Sequence, residues 1–304
     1  MPRLLKPRAL GAGATLAVAA PAFAVDAGLL AAGESALAAR GYRIRRRSDA
    51  TDVCGYLAGD DARRAGEFMD WVGDESVGAI LCARGGYGCH RIMSALDPGL
   101  VRRAAKPLVG FSDVTTLLLW QRRCAGLVGF HGPVLERQQP LTEEELDSLL
   151  RALSGDPLPP MRGDPRGGGV AEGRLVGGSL TLLAASLGTP WEVDTRGAIL
   201  LFEEVNEKPY ALDRMLQHLA ASGKLDGVAG VGVGQLVACV DPKREEPRAE
   251  AVVTEILAAL GVPLVLDLPF GHGVPNLTWP VGVRAALDGE RGELRVLESG
   301  VKRG

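Results

Sequence analysis

The sequence reads as an α/β protein in which a mainly parallel sheet is covered by helices. Three observations carry this. Short apolar runs alternate with helix-period patterns through the first half of the chain, the signature of βαβ units. Glycine and proline punctuation separates the runs, as at Gly41, Arg84-Gly85-Gly86-Tyr87-Gly88 and Gly110. A hydrophobic content of 46% with 23% charged residues over 304 positions describes a globular chain large enough for two domains.

The elements follow in order. Residues 1–8 are basic, 9–20 mildly apolar, and Ala22-Phe23-Ala24 imitates a signal-peptidase site. Gly11, Gly13 and Thr15 interrupt that apolar stretch, so residues 15–21 read instead as a buried first strand ending at Pro21. Residues 29–39 read as a helix stopping at Gly41, and 42–45 as an extended segment. Asp60-Asp61 caps a helix running to Trp71, with Ala62, Ala65, Phe68, Met69 and Val72 on one face. Strands are expected over 77–83, 107–110 and 127–130, with helices from about His90 and from Val114.

From 154 to 169 the composition turns to Gly, Pro, Asp and Arg, which suits neither a helix nor a central strand. The expected division is therefore a first domain over 1–153, a linker over 154–170 and a second domain over 171–304. Beyond the linker, 180–187, 210–219 and 249–260 read as helices, and 198–203, 228–239 and 263–268 as strands. Residues 283–287 and 293–297 form a terminal hairpin around Asp288-Gly289.

Composition excludes several functions. The net charge is −3, the one dense basic run is Arg45-Arg46-Arg47, and aromatics make up 5%, which argues against nucleic-acid binding. No stretch is long and apolar enough to span a bilayer, so no membrane partner is expected. The five cysteines, Cys54, Cys82, Cys89, Cys124 and Cys239, show neither Cys-x-x-Cys nor metal spacing. They read as reduced thiols and give a cytoplasmic expectation with no metal or cofactor. Cys82 and Cys89 flank the glycine loop and read as packing residues.

The chemistry-bearing residues lie where strands end, the usual working edge of such sheets. Ser112, in Gly110-Phe111-Ser112-Asp113, stands at a strand-to-helix turn, the situation of a nucleophile elbow. The second glycine of the usual elbow is replaced by Val114, and a simple helix N-cap is the competing reading. His272 lies between Gly271 and Gly273 at another strand end. Glu203 closes an apolar run, where a carboxylate needs a partner such as an imidazole N–H. Glu204 alternates to the other face, while Glu207 and Asp213 read as solvated charges. His90 and His218 have ordinary helical readings, and His131 stands near the site and could line it. The backbone N–H groups of Asp113 and Gly86 suit an oxyanion, with Gly85 giving close access to a substrate. Phosphate binding is the rival reading of this loop, which fits neither dinucleotide nor P-loop spacing. Arg84 beside the loop can bind a carboxylate or can hold the loop in an ion pair.

In this order the motifs resemble the LD-carboxypeptidases of murein recycling and the related microcin C self-immunity peptidases. The resemblance runs nearly end to end. It rests on Leu5-Lys6-Pro7 with 15–21, Arg84-Gly85-Gly86-Tyr87-Gly88, 110–115, His131-Gly132-Pro133, Gly177-Gly178-Ser179-Leu180-Thr181, 203–210 with Asp213-Arg214-Met215-Leu216, and Gly271-His272-Gly273. One departure is Ala22-Phe23-Ala24, where the family often carries serines. The resemblance implies a flavodoxin-like N-terminal domain and a C-terminal α/β domain with a mixed, barrel-like sheet. It further implies a Ser112–His272–Glu203 triad completed when the domains dock, with no metal. The implied reaction is hydrolysis of the amide before the terminal D-alanine of murein tetrapeptides, by an enzyme expected to be a homodimer. A peptidyl-nucleotide peptidase and a non-catalytic phosphate- or carboxylate-binding protein remain the alternatives.

Overall fold

Residues 15–19 are small or apolar at every position and buried on both faces, which makes them a central strand, β1 (Thr15–Ala19). The computed structural model describes residues 4–244 and 246–303. After β1 come α1 (Ala27–Ala39), β2 (Arg43–Arg45), α2 (Asp61–Gly73), β3 (Val77–Cys82), α3 (Cys89–Ile92) and α4 (Pro98–Ala104). Then follow β4 (Leu108–Gly110), a 3-10 turn over Ser112–Val114 that runs into α5 (Thr115–Trp120), β5 (Gly129–His131) and α6 (Glu143–Ser154). Helix starts are set by side chains that satisfy otherwise unpaired N–H groups. Asp26 accepts from the Leu29 N–H at α1, and Asp60 from the Arg63 N–H at α2. At α6, Thr142 and Glu145 form a reciprocal capping box.

The strands of this first unit lie in the order β2-β1-β3-β4-β5 and are parallel throughout. That is the flavodoxin-like order, whose switch point falls between β1 and β3. The loops leaving β1 and β3 stand side by side at this point of the carboxyl edge, where the Phe23 N–H donates to the Gly85 carbonyl.

The second unit contains β6 (Met161–Arg162), β7 (Asp164–Pro165), β8 (Val170–Ser179), α7 (Leu180–Ala185), β9 (Ala198–Val205) and α8 (Pro209–Ala221). It continues with β10 (Gly230–Val237), α9 (Ala249–Ala258) and β11 (Leu264–Leu266). The chain then gives β12 (Trp279–Val281), which joins the first sheet beside β5, before β13 (Arg284–Asp288) and β14 (Glu293–Val296) return to the second. The second sheet runs β6-β14-β13-β8-β9-β10-β11-β7. Its middle strands β8 to β11 are parallel, and β13, β14, β6 and β7 pair antiparallel.

Its two edge strands, β6 and β7, are consecutive in the chain on either side of Gly163. The sheet therefore curls until both edges reach one short stretch, giving a barrel-like sheet that is not a closed barrel. The Pro- and Gly-rich stretch expected as a linker thus supplies edge strands, where proline is tolerated. By contacts, the first unit comprises the described residues up to Pro157 with Thr278–Pro280 and those from Ser299 on. The second comprises Leu158–Leu277 and Val281–Glu298.

One helix face differs from its sequence reading. On α2 the buried side chains are Arg64, Ala65, Glu67, Phe68, Trp71 and Val72, while Ala62 is exposed. Two charges therefore lie on the face expected to be wholly apolar.

Candidate active site

At the carboxyl end of β4 the backbone is extended at Phe111 and turns sharply at Ser112, whose φ is +61°. A non-glycine residue in this region costs about 1–3 kcal/mol, held only where the surroundings demand it. The capping reading fails on geometry. Phe111, not Ser112, occupies the N-cap position, and no side-chain capping bond is present.

The glycine loop lies directly against this serine. A Cβ on Gly85 would come 2.8 Å from Ser112 Cβ, 3.1 Å from its Oγ and 3.3 Å from the Asp113 nitrogen. Only glycine permits that approach. Gly86 follows with φ +102°, and a Cβ there would strike the Phe23 ring.

Buried polar groups fix the loop from below. Asp113 accepts the Cys89 N–H at 2.8 Å, tying the far end of the loop to the elbow. Arg64, fully buried, donates to the carbonyls of Gly88, at 2.9 Å, and Pro21. Glu67, equally buried, accepts the Ala20 N–H at 2.7 Å and pairs with Arg63 at 2.9 Å. Burial pushes the Glu67 carboxyl above the ordinary range. Sequence reasoning missed Arg64 and Glu67 because isolated helical charges resemble a solvated face. The available signal was their spacing, which sets both beside Phe68 and Trp71.

Arg84 has its guanidinium engaged within its own unit. Nε lies 3.2 Å from Glu136, Nη1 donates to the Ala24 carbonyl at 3.0 Å, and the group sits over the Phe23 ring. These contacts are those of the loop-holding reading. His131 is fully buried, stacked on Trp279 at 4.9 Å and tilted against Phe111, and packs behind the elbow. Cys82 and Cys89 are buried free thiols that burial pushes well up, which makes them inert packing.

In the second unit the end of β9 carries Glu203, which is fully buried. Its Oε2 lies 2.6 Å from His272 Nδ1. A carboxylate can only accept, so Nδ1 carries the proton and Nε2 is left as the basic nitrogen. Gly271, at φ +121°, makes the pair possible, since a Cβ there would fall 2.8 Å from Glu203 Cβ.

The loop bearing His272 is clamped on both sides of the ring. The Gly271 N–H donates to the buried Asn276 Oδ1 at 3.0 Å, and the Gly273 N–H to Gln235 Oε1 at 2.9 Å. Neither amide carried a sequence signal. Glu204 points elsewhere and accepts the Thr181 N–H at 2.7 Å at the start of α7, with its carboxyl raised by burial. His90 contacts Thr116 Oγ1 at 3.3 Å, and His218 is exposed on α8.

Ser112, Gly85, Gly86, Asp113, Arg84 and His131 thus belong to the first unit, and Glu203 and His272 to the second. Among the described residues no group of three or more His, Cys, Asp or Glu gathers as a metal site. No helix there is long and apolar enough to cross a membrane.

Residues 16–132 match the LD-carboxypeptidase N-terminal domain, and 172–287 match the LD-carboxypeptidase C-terminal domain. The chain belongs to the LD-carboxypeptidase family. As an LD-carboxypeptidase it is a peptidase of serine type. It is 36% identical to the probable murein peptide carboxypeptidase of Bacillus subtilis, over 98% of this chain and 96% of that one. To the murein tetrapeptide carboxypeptidase of Pseudomonas aeruginosa it is 34% identical, over 91% and 94%. The fold matches the structure of MccF in complex with glutamyl sulfamoyl guanosine with a TM-score of 0.89 at 23% identity, covering 99% and 100% of the two chains.

Proposed function

We propose that this LD-carboxypeptidase removes the terminal D-alanine from murein tetrapeptides through a Ser112–His272–Glu203 triad. The observation that carries the reading is the buried Glu203 carboxylate on His272 Nδ1 at 2.6 Å. A carboxylate kept from water beside an imidazole fixes its tautomer and stabilises the imidazolium formed in the reaction. The strained backbone at Ser112, pressed by Gly85, supports the serine as the nucleophile.

In this reading Ser112 Oγ attacks the carbonyl carbon at the L-centre of the diamino acid as His272 Nε2 takes its proton. The N–H groups of Gly86 and Asp113 receive the oxyanion. Collapse of the tetrahedral intermediate breaks the C–N bond, and His272 returns the proton to the departing amine of D-alanine. Water, deprotonated by His272, then attacks the Ser112 ester; the ester C–O bond breaks, His272 returns the proton to Ser112 Oγ, and the shortened peptide leaves with a free carboxylate.

The test is release of D-alanine from murein tetrapeptide, followed by an enzyme-coupled assay. Wild-type protein is expected to release it, and Ser112→Ala to release none above background. A protein that leaves the tetrapeptide intact but cleaves an aminoacyl sulfamoyl nucleotide belongs instead with the self-immunity peptidases. Wild-type turnover in Ser112→Ala overturns the mechanism.

A further inference from the structure

Beside the elbow lies an aromatic cluster that the reaction as written does not use. Tyr56 and Tyr87 are 55% and 41% exposed in a chain with only four tyrosines. Their ring centroids are 6.0 Å apart, and Tyr56 lies 5.7 Å from Phe23. Phe23 is part of the departure from the family's serines noted in the sequence, and its ring covers Gly86. Gly85, the next residue back, touches Ser112. The platform therefore begins one residue from the nucleophile.

It is also preorganised. Three loops at the switch-point edge are joined by backbone hydrogen bonds: Phe23 N–H to Gly85, Ala24 N–H to Tyr56 and Ala58 N–H to Ala22. Tyr56 sits on a tight turn closed by reciprocal bonds between Cys54 and Leu57. Ordered aromatic rings held by backbone lose little entropy when a ligand stacks on them.

The ring geometry indicates the class of ligand. Phe23 and Tyr56 meet at 62°, and Tyr56 and Tyr87 at 55°, forming a faceted corner and not a parallel slot. A flat nucleobase needs one broad face or a sandwich. A puckered pyranose presents C–H groups on several planes and suits a corner. The rim supplies polar partners for ring hydroxyls in the two phenol oxygens and the Arg91–Asp61 pair at 2.9 Å.

We infer that Phe23, Tyr56 and Tyr87 form a subsite for the sugar ring of sugar-bearing murein peptides. This rests on the reading of the protein as a murein tetrapeptide carboxypeptidase, and makes it selective for substrates that still carry the sugar.

The test compares kcat/KM for muramoyl tetrapeptide and for the sugar-free tetrapeptide, in wild type, Tyr56→Ala and Tyr56→Phe. Wild type is expected to favour the muramoyl form about five- to ten-fold, the size of one aromatic stacking contact. Tyr56→Ala should collapse that ratio towards one, through KM on the muramoyl substrate, and Tyr56→Phe should restore most of it. A wild-type ratio of one, or a Tyr56→Ala ratio equal to the wild type's, overturns the subsite while leaving the carboxypeptidase reading intact. Failure to release D-alanine from either substrate sinks the carboxypeptidase reading itself. A circular dichroism melt of Tyr56→Ala matching wild type separates lost recognition from lost folding.

Discussion

Ser112 holds a backbone conformation that glycine adopts freely and alanine does not, and this separates its stability role from its chemical one. Ser112→Ala keeps the strain and Ser112→Gly releases it, so the glycine variant should be the more stable of the two by about 1 kcal/mol in denaturant unfolding. On the proposed mechanism both should lose hydrolysis by roughly 10³-fold or more, and adding His272→Ala should cost little further, because members of a triad act as a unit. Equal stabilities would show that the turn is not strained. Gly271 offers a second test. Gly271→Ala meets both a positive φ and the Glu203 side chain, so His272 must shift. Kcat should fall about 100-fold with KM little altered, as expected for a misplaced base; an unchanged kcat would show that the loop absorbs the methyl. At this scale the sequence displayed Ser112, Glu203 and His272 because each stood at a strand end in the wrong chemical company. Arg64, Glu67, Gln235 and Asn276 were hidden because residue type does not reveal that a charge or amide is buried on a backbone group.

Helices and strands were legible where period and punctuation agreed, as at β1, α1, β3, α8 and α9. The long strand β8 was not read. Glu172, Arg174 and three glycines break its alternation, and its burial changes from half-exposed to fully buried midway. Helix α6 also went unread, although Thr142 and Glu145 stand three apart before an apolar run. The end of α2 gives a prediction at this scale. Asp74 accepts from Ser76 through both Oγ–H (2.6 Å) and N–H (2.9 Å), and from Arg45 at 2.6 Å. These donors hold its carboxyl down at about 2, from an ordinary 3.8. The folded state favours the charged form, so the contribution is complete above 3.8 and is lost as pH falls through about 2. Glu67 has the opposite sign, since a raised carboxyl loses stability as pH rises, so it does not drive acid unfolding. Asp74→Asn should therefore flatten the stability curve between about pH 4 and pH 2 and leave its slope above pH 5 untouched. A variant whose acid limb follows wild type would show that Asp74 is not held by these donors.

At the scale of the whole molecule the chain does not divide at one linker. The first unit needs two later pieces, Thr278–Pro280 and the residues from Ser299 on, and neither was legible because so short a segment carries no period. Both are bonded into it. Trp279 is fully buried against His131, the Thr278 N–H donates to Ser148 Oγ at 2.8 Å, and the Lys302 N–H donates to the Pro7 carbonyl at 2.8 Å. Truncating a buried tryptophan costs about 3–5 kcal/mol, a large share of the 5–15 kcal/mol that holds a typical domain together. Trp279→Ala in the full chain should lose stability by that amount in denaturant titrations. A fragment ending at Pro157 loses this tryptophan, the edge strand around it and the Lys302 bonds together. It should show helical far-ultraviolet circular dichroism with no cooperative thermal transition and little near-ultraviolet signal. A fragment that melts cooperatively near the full-length midpoint would establish that residues up to 157 fold by themselves and that the returning segments only decorate them.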